Sequence, residues 1–234
     1  MPSLLRRCTA EALGTFALVF IGTGSVLSTY FPKSDYGILG ISIAHGLVLA
    51  VMVSATMTIS GGHLNPAVTL ALLSVRRINA VTAAGYVAAQ LLGAVLASVA
   101  VKLLFPAGIA GITDLGTPRL AASISLGQGI VLEAIFALFL VSAVFGTCVN
   151  PDSPRVGGFG IGLALMFDVL VGGPLTGAAV NPARAFGPAL VSGNWVAHGV
   201  YWVGPILGGL LAALLWHYLL LPKTPTTARR RKTD

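Results

Sequence analysis

The side chains of this sequence that could act on another molecule are two asparagines and an arginine inside apolar segments. The tripeptide Asn-Pro-Ala occurs twice, as Asn65-Pro66-Ala67 and as Asn181-Pro182-Ala183. Asn before Pro is pushed out of the α region and Pro is favoured as the first helical residue, so each motif predicts an asparagine-capped helix start. Such a helix start carries a positive partial charge. An arginine at membrane depth, here Arg184, is costly to bury and therefore predicts a functional residue. These residues can therefore donate hydrogen bonds to another molecule, and the helix starts and the arginine surround that molecule with positive charge.

The other reactive side chains do not form a catalytic set. The sequence has no recognisable nucleophile and base pair, no metal-ligand spacing and no phosphate-binding loop. Cys8 and Cys148 stand alone, which favours neither a disulfide nor a metal site. We therefore predict that the protein is not an enzyme and that it uses no metal or cofactor.

The elements that must position the two motifs are apolar enough for a membrane. Hydrophobic residues make up 56% of the 234 residues and charged residues 9%, and the mean hydropathy is +0.90. This composition is too apolar for an ordinary soluble domain. Six windows reach spanning length, roughly Leu4 to Ser28, Gly37 to Ile59, Ala80 to Phe105, Ile124 to Val149, Val156 to Pro174 and Ala197 to Leu221.

Each motif begins an apolar run that is too short to cross a membrane. From Asn65 to the basic pair Arg76-Arg77 the chain has about ten residues, which as a helix cover roughly 15 Å. This is half of a hydrocarbon core of about 30 Å. The sequence therefore predicts two half-helices in addition to six spans.

The chain contains an internal repeat, over about 4–105 and 124–221. Glu11-Ala-Leu in the first span recurs as Glu133-Ala-Ile in the fourth, and Tyr86 with its following small residues recurs from Tyr201. Each unit holds three spans, an odd number, so the second copy must be inverted in the membrane. The two half-helices then meet head to head within one transmembrane domain, residues 1–221.

The basic residues predict the orientation. If the six spans alternate, only Lys33, Lys102 and Arg119 fall on one side. The other side receives nearly all remaining arginines and lysines, including the basic tail 222–234, so both termini are predicted to be cytoplasmic. A solvated tail that touches membrane lipid is favoured over an arm that binds nucleic acid. The predicted location is the plasma membrane.

These features closely resemble the aquaporin, or major intrinsic protein, family. The segments that carry the resemblance are Ser60-Gly-Gly-His-Leu-Asn-Pro-Ala-Val-Thr and Ala179-Val-Asn-Pro-Ala-Arg-Ala-Phe-Gly-Pro. The resemblance implies an all-α membrane protein, a bundle of six transmembrane helices plus two re-entrant half-helices in two inverted repeats. It also implies a homotetramer of passive water channels that exclude protons and ions.

By the same resemblance, the outer constriction of the pore consists of His45, Val169, Ala178 and Arg184. This set departs from the strict bacterial water channels. It is similar to that of the plant tonoplast-intrinsic proteins and their ammonia-permeable animal relatives. Since Val169 offers neither donor nor bulk, we expect a somewhat wider opening that also passes small neutral solutes such as ammonia. The alternative to a pore-lining His45 is a histidine buried in the protein core.

Residues next to the motifs are expected to line or support the pore. Re-entrant backbone at membrane depth is tolerated only where it lines a wet cavity. This predicts pore-facing carbonyl groups at Gly61, Gly62, His63, Gly177, Ala178 and Ala179. In the family, glutamates placed like Glu11 and Glu133 hold the re-entrant loops, with a proton relay as the alternative here. Asp168 is interpreted as structural or as a subunit contact, with pore lining as the alternative.

Two other functions stay open. The glycerol-conducting branch of the family typically has an acid directly after the arginine and a basic residue four positions later, where this chain has Ala185 and Ala189. The water branch is therefore favoured, with glycerol passage as the alternative. An ion-coupled secondary transporter would also show inverted repeats and broken helices, but only Asp168 could serve as an ion ligand.

Overall fold

The computed structural model describes residues 2–34, 36–154 and 156–222, and these ranges fold as helices and connecting loops. A 3-10 turn spans Asp114–Gly116, and π-helical turns span Phe145–Val149 and Trp216–Leu220. The α-helices are α1 (Leu4–Ser28), α2 (Gly37–Thr56), α3 (Pro66–Ser74), α4 (Ala80–Leu104), α5 (Ala107–Ile112), α6 (Leu126–Val144), α7 (Phe159–Thr176), α8 (Pro182–Ser192) and α9 (Val200–Leu215).

Six helices in the described ranges, α1, α2, α4, α6, α7 and α9, are long and apolar enough to cross a membrane, which confirms the predicted fold class. Several helix ends differ from the hydropathy windows by one to three residues, and two of these differences have a visible cause. Helix α2 ends at Thr56, before Ile59, because the chain turns there into the first re-entrant segment. Helix α7 begins at Phe159 because Gly157 has a φ of +57°, outside the helical region. Of the predicted basic tail, only Pro222 lies within the described residues.

Close helix crossings rely on glycines at repeat-related positions. Helix α1 packs against α4, and α6 packs against α9. A Cβ at Gly93 would collide with the carbonyl of Ala12, and one at Gly208 would collide with the carbonyl of Ala134. Because no hydrophobic force drives helices together within lipid, such backbone proximity provides the packing energy.

The two half-helices tie the repeats together. Helix α3, from the first repeat, packs mainly against α9 of the second, and α8 packs mainly against α4 of the first. Helices α2 and α7 cross through Gly46 and Gly162, where a Cβ on either glycine would collide with the carbonyl of the other. The repeats therefore share one interior instead of forming two separate bundles.

Replacing Gly208 by Ala tests the packing of α6 on α9. We expect the free energy of unfolding to fall by about 1–3 kcal/mol, because the new methyl group must displace the Ala134 backbone. The measurement is thermal unfolding of the purified protein in detergent. Gly127→Ala is the matched control, since a Cβ there meets nothing within 4 Å. Equal unfolding midpoints for the two variants would contradict this account of the crossing.

Candidate functional site

The two Asn-Pro-Ala motifs form capped helix starts. Asn65 has extended backbone, and its Oδ1 accepts from the Ala67 N–H at 2.8 Å. Asn181 is also extended, and its Oδ1 accepts from the Ala183 N–H at 3.0 Å and from the Arg184 N–H at 3.3 Å. The carbonyl oxygen of each side chain is therefore committed to its own helix.

A reciprocal pair of hydrogen bonds joins the two motifs. The Asn65 Nδ2 donates to the Val180 carbonyl at 3.0 Å, and the Asn181 Nδ2 donates to the Leu64 carbonyl at 2.8 Å. Each amide nitrogen carries two N–H groups, so one per asparagine remains for a molecule in the cavity that both side chains line. Sequence reasoning anticipated the caps but missed this crosswise pair.

A buried carboxylate supports the first re-entrant loop. The Oε1 of Glu11 accepts from the Ser60 hydroxyl at 2.6 Å and from the His63 N–H at 3.0 Å. Its Oε2 accepts from the Leu64 N–H at 2.7 Å. Leu64 has a φ of +52°, which an ordinary side chain adopts only when its surroundings enforce it. Glu11 thus replaces the helical hydrogen-bond acceptors that the loop N–H groups lack, and it offsets the strain of the loop.

The second loop repeats this arrangement. Glu133 accepts from the Thr176 hydroxyl at 2.7 Å, from the Ala179 N–H at 3.0 Å and from the Val180 N–H at 2.7 Å. Val180 also has a φ of +52°, which is rarer still for a β-branched residue. The two glutamates therefore occupy equivalent positions relative to the two motifs.

Two tyrosines that the repeat pairs also hold these loops. The Tyr86 hydroxyl donates to the Ser60 carbonyl at 2.6 Å, and the Tyr201 hydroxyl donates to the Thr176 carbonyl at 2.8 Å. His63 adds a hydrogen bond between its Nδ1 and the Thr69 hydroxyl at 3.1 Å. The repeat pattern singled out both tyrosines in the sequence, but it did not reveal this role.

Two cavities meet at a narrow site. The inner cavity is lined by Asn65 and Asn181 among others and has about 400 Å³ of space including its openings. The outer vestibule, about 860 Å³ on the same measure, is open to solvent. His45 and Arg184 line both cavities, and Val169 lines the vestibule. The candidate constriction therefore lies where these side chains separate the two spaces.

The orientation of His45 is set by its own helix. Its Nδ1 lies 2.9 Å from the Ile41 carbonyl, and since a carbonyl only accepts, Nδ1 is the donor. In the neutral imidazole, Nε2 is then an acceptor. Gly22 of α1 leaves space for the ring, because a Cβ there would lie 2.6 Å from Nε2. Sequence reasoning missed Gly22, since only the fold brings α1 against this ring.

The loop before α6 fixes Arg184. The Nη1 of Arg184 donates to the Gly116 carbonyl at 3.0 Å. Gly116 lies in a turn with positive φ, and Asp114 at its start accepts from the Asn194 Nδ2 at 2.7 Å and pairs with Arg119. Sequence reasoning missed this loop, because it has no helical periodicity and its partners are distant in the chain.

Two of the residues predicted to offer pore-facing carbonyl groups do not lie at the cavities. Gly62, His63 and Ala179 line the inner cavity and Gly177 lines the vestibule, whereas Gly61 and Ala178 line neither. The Ala178 methyl group packs in the hydrophobic core instead. The side chain of Ala178 is therefore not placed at the constriction. Its expected contribution to the pore can only come from the backbone.

The position of Asp168 differs from one of the two expectations for it, the subunit contact. Its side chain is fully buried within the single chain, so a subunit contact is wrong for this residue. Both of its carboxyl oxygens lack a hydrogen-bond partner among the described residues, and it lines neither cavity. Adjacent residues of a helix point in different directions, so Asp168 faces away from Val169, but this geometry does not reveal which neighbour covers it.

The family profile described as Major intrinsic protein matches residues 1–216. The chain belongs to the major intrinsic protein family. It is 44% identical to the maize (Zea mays) protein Aquaporin TIP4-4, across 93% of this chain and 87% of that one. It is 40% identical to Probable aquaporin TIP3-2 of Arabidopsis thaliana, across 94% and 86%. The protein is thus a multi-pass membrane channel of the aquaporin family and not an enzyme.

More distant relatives agree with this assignment. Aquaporin-4 of Mus musculus is 37% identical, across 96% of this chain and 70% of that protein. Among solved structures, the X-ray structure of the aquaglyceroporin from Plasmodium falciparum superposes with a TM-score of 0.83. That match covers 93% of this chain and 97% of the other at 24% sequence identity. The structural match shows the aquaporin fold and nothing about the solute.

Replacing Glu133 by Gln tests the support of the second loop. The amide nitrogen cannot accept a hydrogen bond, so at least one buried N–H of Ala179 or Val180 loses its partner. We expect the free energy of unfolding to fall by about 1–3 kcal/mol. Thermal unfolding in detergent measures the change. Asp152→Asn, at an exposed loop carboxylate, is the control, and equal losses in both variants would refute the supporting role.

Proposed function

We propose that this aquaporin is a passive channel for water that also passes ammonia. The observation that carries the proposal is the meeting of two cavities at His45 and Arg184, with both asparagine amides lining the inner one. A water molecule there meets donors from two facing helix starts, and Arg184 supplies more donors one helical turn away. This arrangement suits a neutral hydrogen-bonding solute.

The same groups account for the proposed exclusion of ions. Helices α3 and α8 each place about half a positive charge near the midplane, and Arg184 adds a full charge. The two remaining N–H groups of Asn65 and Asn181 force a water molecule to present its oxygen to both, which interrupts a chain of waters that could carry protons. Pores generally use such dipoles and arginines as electrostatic barriers.

Ammonia passage is proposed from the composition of the constriction. The Nε2 of neutral His45 can accept a hydrogen bond from ammonia, as it can from water. Val169 supplies an apolar wall of moderate size at the vestibule. Water and ammonia have similar size and hydrogen bonding, so this site offers little to discriminate between them.

Stopped-flow light scattering on proteoliposomes tests the proposed function. Water, ammonia and glycerol are compared in vesicles with and without the purified protein. We expect water and ammonia fluxes above those of empty vesicles that rise linearly with the gradient and do not saturate. Glycerol flux that equals water flux would favour the broader glycerol-conducting alternative, and a requirement for an ion gradient would favour the transporter.

The proposed function also includes the membrane in which the protein lies, its orientation there and its oligomeric state. We propose a homotetramer in which the end where α1 begins faces the cytoplasm, because basic residues are concentrated at that end. The plasma membrane stays a prediction. The similarity to proteins named TIP, together with the tonoplast-like composition of the constriction, favours the tonoplast as the alternative.

Arg184→Ala tests the constriction. Removing the guanidinium removes the charge and the main donor where the cavities meet, so water flux should stay near that of the parent while cation or glycerol leakage increases. The measurement combines light scattering with an ion-sensitive dye inside the vesicles. Lys102→Ala, which removes an exposed positive charge that lines neither cavity, is the matched control. An unchanged solute profile in a folded Arg184→Ala variant would place Arg184 outside the filter.

Val169→His tests the basis of ammonia passage. The larger side chain should narrow the opening, so we expect ammonia flux to fall more than water flux. Internal pH change in ammonia-challenged vesicles gives the first rate and light scattering the second. Val169→Leu is the control, because it adds volume without a polar group and so separates size from hydrogen bonding. If ammonia rates are equal in empty vesicles, parent and variant, the protein is a plain water channel.

A further inference from the structure

Three arginines surround an open cleft at the end of the bundle where α1 begins. The cleft, about 980 Å³ including its open side, is lined by Arg7, Arg76 and Arg77. Its other lining residues are Leu73, Ile78, Asn79, Ala80 and Thr82. None of these residues is acidic. Among the residues that the structure describes, the one salt bridge is the Arg119 and Asp114 pair, so the three guanidinium charges have no carboxylate partner there.

Backbone groups add to the positive charge of the cleft. Asn79 caps the 25-residue helix α4, and its side chain accepts from the Thr82 N–H at 2.8 Å. The first turn of α4, at Ala80 and Thr82, lines the cleft. A helix start favours negative charge, so the helix and the three arginines select for the same kind of ligand.

Arg76 occupies a position where glycine is the ordinary choice. Its N–H donates to the Leu73 carbonyl and the Arg77 N–H donates to the Leu72 carbonyl, both at 2.9 Å, which is the hydrogen-bond pattern of a Schellman turn after α3. Arg76 accordingly has a φ of +59°. A glycine would fit this turn without strain, whereas the arginine adds a charge to the cleft.

Arg7 is held in place by Tyr86, which also supports the first re-entrant loop. Its Nε donates to the Tyr86 hydroxyl at 2.7 Å, and its guanidinium lies 5.2 Å from the centre of the Tyr86 ring. The Nε–H is thereby used, and the two terminal amino groups carry four further N–H donors. A planar guanidinium suits bidentate contacts with phosphate oxygens.

We propose that this cleft binds the phosphate of an anionic membrane lipid headgroup. Apolar neighbours favour a lipid over a free phosphate ion. Leu73 and Ile78 line the cleft beside the arginines. Leu5 on α1 and Val81 on α4 are 78% and 71% exposed at the same end of the bundle, where acyl chains would lie below a bound headgroup. Arginines beside apolar surface at a membrane boundary attract anionic lipid headgroups.

Native mass spectrometry of the full chain in detergent tests the proposal, with dioleoyl phosphatidic acid and dioleoyl phosphatidylcholine as probes. We expect phosphatidic acid to bind at least roughly tenfold more tightly. Arg76→Gly and Arg77→Gln should each weaken its binding by roughly fivefold, and the double variant by roughly twentyfold, on the basis of one charge contact each. Arg76→Gly relieves the left-handed turn, so it tests the charge without threatening the fold.

The controls separate this cleft from general surface charge. Lys33→Gly removes a basic residue that also has a positive φ, +65°, at the opposite end of the bundle, and should leave the binding of phosphatidic acid unchanged. Inorganic phosphate is titrated as a second probe and should bind far more weakly than the lipid. Equal lipid affinity in the parent and the double variant would overturn the site. Phosphate binding as tight as that of the lipid would overturn the lipid headgroup as its ligand.

Discussion

Backbone that enters a membrane without completing a helix must find hydrogen-bond partners inside the protein, and the rest of this structure depends on how that is done. Glu11 and Glu133 each accept two consecutive backbone N–H groups and a hydroxyl from a re-entrant loop. An unsatisfied polar group in hydrocarbon costs several kcal/mol, so these buried carboxyl groups are structural necessities. They also hold Leu64 and Val180 in left-handed conformations that place the asparagines.

The positioning of Arg184 illustrates a different strategy. Its guanidinium donates to the uncharged backbone carbonyl of Gly116, so the full positive charge remains at the candidate constriction. A carboxylate partner at this place would cancel the positive field that we propose rejects cations. The carboxylate that does occur, Asp114, pairs with Arg119 and Asn194 and thereby shapes the loop that presents the carbonyl. The Asp114 and Arg119 ion pair thus fixes the geometry of the loop, and Arg184 keeps its positive charge.

Local chemistry explains what could be predicted from the sequence. Hydropathy sets the six spans, and the Asn-Pro pair sets both half-helix starts through backbone sterics that involve neighbouring residues only. The crosswise bonds between Asn65 and Val180 and between Asn181 and Leu64 join positions over a hundred residues apart, and no local pattern encodes them. Asp168 shows a related gap, because a helix that is apolar all round does not reveal which face is covered by protein and which by lipid.

The crosswise asparagine bonds also bear on how the chain is made. Leu64 and Asn65 are synthesised early, but their partners follow 115 to 117 residues later. At about 5–20 residues per second, the first loop waits roughly ten seconds for the second. Until then the Nδ2 of Asn65 and the carbonyl oxygen of Leu64 lack these native hydrogen-bond partners at membrane depth. Loop docking is therefore a late event of biogenesis, and a nascent chain that stops before α8 cannot hold the first half-helix in its final place.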